Sequence, residues 1–219
     1  MGHLDYHKII PKDVSEYCHN YSSQETKVAK KIHKSYKNHR KKHMIIGRLV
    51  GNIIRMLITA KKDPLNVLEI GAFVGYSTAI IASSLPKHST FWSFEKDYSY
   101  YIEAKNNLSD IENNINLNLV NGDGADWLQQ NNNHNFDTIF IDANKQSYVN
   151  KHNLIIEKLN EEGYLIVDNA LAQKGALDPS KSWEMLTHKF NVKINKDDRL
   201  NNIILPVRDG LLVAYKKLK

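Results

Sequence analysis

The 219-residue chain has one cysteine, Cys18, only five prolines and ten glycines, and no long apolar run. A lone cysteine cannot close an internal disulfide, fits a reducing compartment, and excludes a zinc cluster built on several thiolates. The low Gly and Pro content excludes collagenous and low-complexity chains, and 42% hydrophobic with 25% charged residues is the balance of an ordinary soluble globular protein. The most apolar helical window, Leu49 to Ala60, is interrupted by Asn52 and Arg55 and is too short to span a bilayer. The opening MGHLDYHK lacks a signal-peptide stretch, so a cytoplasmic location with no membrane partner is expected. The length fits one domain, or at most two small ones.

Charge is unevenly placed. Residues 1–62 carry 14 Lys and Arg against 4 Asp and Glu, whereas residues 63–219 carry 16 against 20. The stretch KVAKKIHKSYKNHRKKH is therefore either a solvated helix face or a surface that attracts phosphates or an acidic partner.

Periodicity divides the chain in the same place. Val28, Ile32 and Tyr36 predict one amphipathic helix, and Ile46, Leu49, Val50, Ile53, Ile54, Leu57 and Ile58 predict a second that stops before Asp63-Pro64. Residues 1–62 are thus expected to form a basic helical cap on a catalytic unit, 63–219. From Asn66 onward, short apolar runs alternate with helical stretches: VLEIG then Ser77–Ser84, TFWSFE then Tyr98–Leu108, INLNLV then Ala125–Gln130, FDTIFID then Tyr148–Leu159, and YLIVD then Ser182–Ile194. Five such units predict an α/β fold, a parallel sheet with helices on both faces. Asn202–Val207 and Leu211–Lys216, separated only by Arg208-Asp209-Gly210, are too close for a crossover and predict an antiparallel hairpin at the sheet edge, seven strands in all. Phe190–Ile194 also has strand-like composition, but Trp183, Leu186, Phe190 and Ile194 keep helical spacing. The polar patch QQNNNHN, Gln129 to Asn135, reads as a loop.

In an open α/β sheet, ligands bind beyond the carboxyl ends of the strands. The first strand ends in Glu69-Ile70-Gly71-Ala72-Phe73-Val74-Gly75-Tyr76-Ser77, whose glycines let the backbone pass close to a ligand. A dinucleotide fingerprint would need glycine where Phe73 stands, which argues against a nicotinamide dehydrogenase. An acid before a glycine-poor turn better suits a ligand with an ammonium and no phosphate. Glu95, at the second strand end, is placed to accept from both ribose hydroxyls of a nucleoside, and Asp123 in Gly122-Asp123-Gly124 to accept from an adenine amino group. Read alone, each acid is equally a helix N-cap or a turn residue.

The fourth strand ends at Asp142 and the fifth at Asp168-Asn169. Two carboxylates and an amide oxygen are the hard ligand set expected for Mg2+, or for Mn2+ or Ca2+ in its place. Lys145, three residues after Asp142, is expected beside that cation with a depressed pKa, as a candidate general base.

LEIGAFVGYS, the Glu95 strand end, NGDGADWL, FDTIFIDANKQSY, YLIVDNAL and LPVRDGLLVAYKK, taken in order, resemble the cation-dependent S-adenosylmethionine O-methyltransferases of the catechol and caffeoyl-coenzyme A type, from about Met44 to the C-terminus. The resemblance implies a Rossmann-like class I methyltransferase fold with S-adenosylmethionine as cofactor and a homodimeric assembly. It implies cofactor contacts from Glu69, Gly71, Tyr76, Ser77, Glu95, Asp123, Gly124 and Asp142, with Met44 near the transferred methyl. It also implies metal ligation by Asp142, Asp168 and Asn169, and catalysis by Lys145 with Asp142. Four positions depart from the family's pattern: Asn144 stands for a common Asp, Ala172 for a common Trp, Val50 for a common Gln and Arg208 for a common Gly. The Ala172 change leads us to expect that an aromatic wall of the acceptor pocket is missing. The acceptor is then a small catechol-like or phenolic hydroxyl. A hydroxylated uridine in transfer RNA, drawn by the basic segment, is the alternative, and a non-catalytic S-adenosylmethionine-binding module is a third reading.

Overall fold

The computed structural model describes residues 9–111, 114–131 and 133–219. The opening MGHLDYHK, and Asn132 within the QQNNNHN patch, lie outside the described residues.

A seven-stranded sheet organises the chain, in the order β3-β2-β1-β4-β5-β7-β6. Here β1 is Asn66–Ile70, β2 Thr90–Glu95, β3 Asn116–Asn121, β4 Phe136–Ile141, β5 Leu159–Val167, β6 Leu200–Leu205 and β7 Leu211–Lys216. The first five are parallel to one another, while β7 runs antiparallel to both β5 and β6. The expected hairpin is present, and β7 docks beside β5 to leave β6 at the edge.

Strand alternation assigns the two faces. Val67, Phe91 and Phe140 point to one side, where they share a core with α2 (Lys27–Tyr36), α3 (Gly47–Thr59) and α4 (Tyr76–Ala82). Thr26 caps α2 by accepting from the Ala29 amide, and the stripe read from sequence is the buried one: Val28, Ala29, Ile32 and Tyr36. α3 presses so closely on α4 that a Cβ at Gly51 would lie 2.5 Å from Ile80 Cδ1. On the other face Leu68, Ile70, Ile139, Ile141 and Leu165 meet apolar side chains of α6 (Gly124–Gln130), α8 (His152–Lys158) and α9 (Ser182–Asn195). α5 (Tyr98–Asn107) starts at Asp97, whose carboxylate accepts from the Ser99 and Tyr100 amides.

Three features differ from the sequence reading. α1 (Lys12–Asn20) was not anticipated; Val14, Tyr17 and Cys18 share one face of it, but none is buried. The expected helix Tyr148–Leu159 is broken into α7 (Lys145–Tyr148), a 3-10 turn at Val149–Lys151, and α8. Leu159 is already a strand residue opposite Phe136, and a register shift before Tyr164 accommodates residues 160–163, with Glu162 at φ 60. Phe190–Ile194 is helical, with Phe190 and Ile194 buried. Among the described residues no helix is long and apolar enough to cross a membrane.

Candidate active site

The sheet changes direction of growth between β1 and β4, the crevice where ligands sit in this architecture. There the Asp142 amide donates to Ile70 O at 2.9 Å, and Gly71, at φ +102, turns so close that a Cβ would stand 2.1 Å from Asp142 O. Only glycine fits. Above this contact opens a cavity of about 860 Å³, within the usual size range of small-molecule sites. Gly71, Glu95, Asp123, Gly124, Asp142, Lys145, Asn169 and Met44 all line it.

Glu95 is nearly buried. Its two carboxylate oxygens accept from the Phe73 amide at 2.7 Å and the Asp97 amide at 2.8 Å, which fix the carboxylate against the glycine turn. Burial still pushes its pKa up, against those amides. Asp123 caps α6, accepting from the Ala125 and Asp126 amides, with Lys96 at 3.4 Å. Burial opposes its ionisation, but the Ala125 amide and the other donors hold its pKa below the ordinary value. Asp123 therefore caps a helix and also lines the cavity.

Three of the expected cofactor residues are turned away from the cavity wall. Glu69 is fully buried; its Oε2 accepts from Thr78 and Ser93 hydroxyls, each at 2.6 Å, and Ser77 bonds the same carboxyl. Burial raises its pKa despite these donors, and Oε1 has no hydrogen-bond partner among the described residues. Tyr76 is drawn elsewhere by the N-terminal segment, since its hydroxyl donates to Glu25, which also bonds His33 at 2.6 Å. Nothing in LEIGAFVGYS foretold that partner, which lies 51 residues upstream.

Strands β4 and β5 end side by side: Ile141 pairs with Val167, and the Asp168 amide donates to Ile141 O at 3.0 Å. Asp142 and Asp168 are thereby neighbours. Burial, and next the charge of Asp168, push Asp142 up to about 7, with Arg208 and Lys145 opposing. Asp168 is fully buried; Oδ2 accepts from Arg208 at 2.8 Å, while Oδ1 has no partner among the described residues. Asn169 lies beside them in left-handed backbone, φ 59. A buried carboxylate oxygen without a donor, next to a second carboxyl under pressure to take a proton, is a place short of positive charge, and it fits a hard divalent cation. Among the described residues no three His, Cys, Asp or Glu side chains cluster as metal ligands, so such an ion would rest on two carboxylates and the Asn169 amide.

Lys145 opens α7 behind Asn144, whose side chain caps that helix by accepting from Gln146. Its Nζ donates to Asp168 O at 3.0 Å. The depression expected beside a cation does not arise from the protein's own groups. Burial does act downward, but the Tyr148 hydroxyl and the charges of Asp142 and Asp168 outweigh it and raise the amine above its ordinary value.

The sequence reading missed much of the opposite wall. Ala172 is buried and outside the cavity lining, whereas Trp183, which the helical periodicity had marked only as a packing position, lines it. The cavity therefore keeps an aromatic surface from Trp183, Tyr100, Phe73 and Phe94. Asp209 and Gln173 join across the β5 and β6–β7 loops through the Gln173 amide, and burial raises the Asp209 pKa. Ala172, Gln173, Lys174 and Arg208 all have positive φ, strain that no glycine in the sequence announced.

Residues 19–217 match the family model for O-methyltransferase, a span that starts well upstream of Met44. The caffeoyl-CoA O-methyltransferase of Stellaria longipes is 27% identical over 221 residues, covering 90% of this chain and 89% of that protein. Among solved structures, the O-methyltransferase from Bacillus cereus in complex with SAH superposes with a TM-score of 0.81 at 21% identity, covering 94% and 97% of the two chains. The SAH-bound methyltransferase of Podospora anserina gives 0.82 at 20% identity over the whole of both. With the fold shared and the family model matched over nearly its full length, the chain belongs to the O-methyltransferase family, as an S-adenosylmethionine-dependent enzyme.

Proposed function

We propose that this enzyme methylates one of two vicinal hydroxyls on a small catechol-like or phenolic acceptor, with a divalent cation, Mg2+ by preference, at Asp142, Asp168 and Asn169. The observation that carries this reading is the pair of adjacent strand-end carboxylates: Asp142 lines the same cavity as Glu95, and Asp168, buried beside it, keeps an oxygen without a partner among the described residues. In this reading Glu95 takes the ribose hydroxyls of S-adenosylmethionine, Asp123 and Gly124 flank its adenine, Gly71 leaves room for its passage, and Met44 lies near the methyl. Residues 1–62 form the cap that closes this side of the catalytic unit, 63–219.

S-adenosylmethionine supplies an electrophilic methyl, and the cation would neutralise the carboxylates that hold Lys145 protonated and acidify an acceptor hydroxyl set against it. Lys145 then accepts the hydroxyl proton at Nζ, held on Asp168 O. Trp183 on the cavity wall offers a flat face for an aromatic acceptor. The aromatic side chains on the cavity wall support a flat acceptor, and the caffeoyl-CoA name of the Stellaria longipes relative points the same way.

The test is methyl transfer from labelled S-adenosylmethionine to a panel of catechols and caffeoyl thioesters, with Mg2+ and with excess chelator. Transfer to a vicinal diol that chelation abolishes is the expected result. Full transfer in chelator would overturn the cation, and transfer only to acceptors without vicinal hydroxyls would overturn the substrate class.

A further inference from the structure

Arg208 sits in the β6–β7 turn at φ +54 and ties the carboxylate site to the N-terminal segment through bonds on both sides. One guanidinium nitrogen donates to Asp168 Oδ2 at 2.8 Å. The other donates to His43 O at 2.6 Å and Ile45 O at 2.9 Å. The ion pair is nearly dry, with the Asp168 side chain fully buried and that of Arg208 12% exposed. Between the two carbonyls lies Met44, which lines the cavity at the end of a short 3-10 turn, Lys42–Met44. The same strap is held at its start by Lys41, which bonds the Tyr100 hydroxyl.

We propose that Arg208 is a positioning residue and the resident positive partner of Asp168: a divalent cation must compete with its guanidinium for that carboxylate, and the competition is linked to release of the His43–Ile45 strap. This inference rests on the cation reading above. Two positive charges cannot share one buried carboxylate without repulsion, so Arg208 lowers cation affinity for as long as it stays on Oδ2. Its planar fork is what allows one side chain to serve the carboxylate and two carbonyls together, which a lysine ammonium cannot reproduce in the same geometry. By linkage, whatever factor the latch takes from cation affinity, cation binding takes from the latch. Met44, which lies between the two carbonyls and lines the cavity, is then loosened with the strap, so that the cavity edge and cation loading report on each other.

The experiment measures Mn2+ binding by the loss of free-ion electron paramagnetic resonance, and amide hydrogen exchange over residues 42–46, for wild type, Arg208→Ala and Arg208→Lys. Arg208→Ala should bind Mn2+ about tenfold or more tighter, because one opposing charge is gone. Arg208→Lys should keep near wild-type Mn2+ affinity while its strap exchanges faster. In wild type, saturating Mn2+ should speed exchange over 42–46, a readout that needs no variant; in Arg208→Ala exchange should already be fast and indifferent to Mn2+. Equal or weaker Mn2+ binding by Arg208→Ala, or a wild-type strap unmoved by bound Mn2+, overturns the latch while leaving the cation site standing. Failure of every form, wild type included, to bind Mn2+ overturns the cation reading and the competition with it.

Discussion

Gly71 and Asp142 meet where β1 and β4 end, the glycine so near that its absent Cβ would fall 2.1 Å from the aspartate's carbonyl oxygen. The contact joins the glycine turn after β1 to the carboxylate pair, so the two halves of the proposed site are held in one backbone arrangement.

Gly71→Ala should therefore damage both. The positive φ alone costs about 1–3 kcal/mol for a residue with a side chain, and the neighbouring atom is backbone that cannot swing aside. A denaturant melt should show a loss of at least that size, with weaker S-adenosylmethionine binding in the fraction that folds. An unchanged midpoint would mean that the turn relaxes freely, and that the close approach does not organise the site.

Lys145→Ala should lower turnover by roughly 100-fold or more with cofactor affinity nearly intact, because a general base acts in the transition state. Lys145→Arg should fail as well, since a guanidinium does not release its proton near neutral pH. Steady-state kinetics with calorimetry of the cofactor separates the two effects. Near wild-type turnover in either variant would remove Lys145 from the chemistry.

The strand-end polar residues were legible because a parallel sheet exposes those positions: Glu95, Asp123, Asp142 and Asn169 line one cavity, while Asp168 is buried beside them. Other parts depended on contacts that the local sequence does not encode. Tyr76 bonds Glu25 through its hydroxyl, a partner 51 residues upstream, and Arg208 looked like a substituted turn glycine until its guanidinium met Asp168, 40 residues away. α1 leaves Val14, Tyr17 and Cys18 exposed, so their spacing marks no core, and the helix after Lys145 breaks at Val149–Lys151 before β5 begins at Leu159 opposite Phe136. Trp183 was read correctly as helical, yet its place at the start of α9 put it on the cavity instead of in the core.

A pH dependence follows from Asp142. Its carboxyl titrates at about 7 in the folded chain against an ordinary 3.8, so between those values the folded state binds more protons than the unfolded state. Stability from this group is therefore highest at low pH and declines as pH rises from about 4 to about 7, then levels off. In chelating buffer, the wild-type melting temperature should fall more steeply across that window than that of Asp142→Asn, which has no such proton to lose. Parallel curves would show that Asp142 is not under the pressure of burial and of Asp168.

The most direct test of the account is a calorimetric titration of wild type and Glu95→Ala with S-adenosylmethionine, each checked for folding by thermal melt. Saturable one-site binding by wild type is expected, weakened in Glu95→Ala by about 1–3 kcal/mol, the cost of leaving hydroxyls without a charged acceptor. Equal affinity in the two proteins, or no binding by the wild type, would contradict the placement of the cofactor between Gly71 and Glu95.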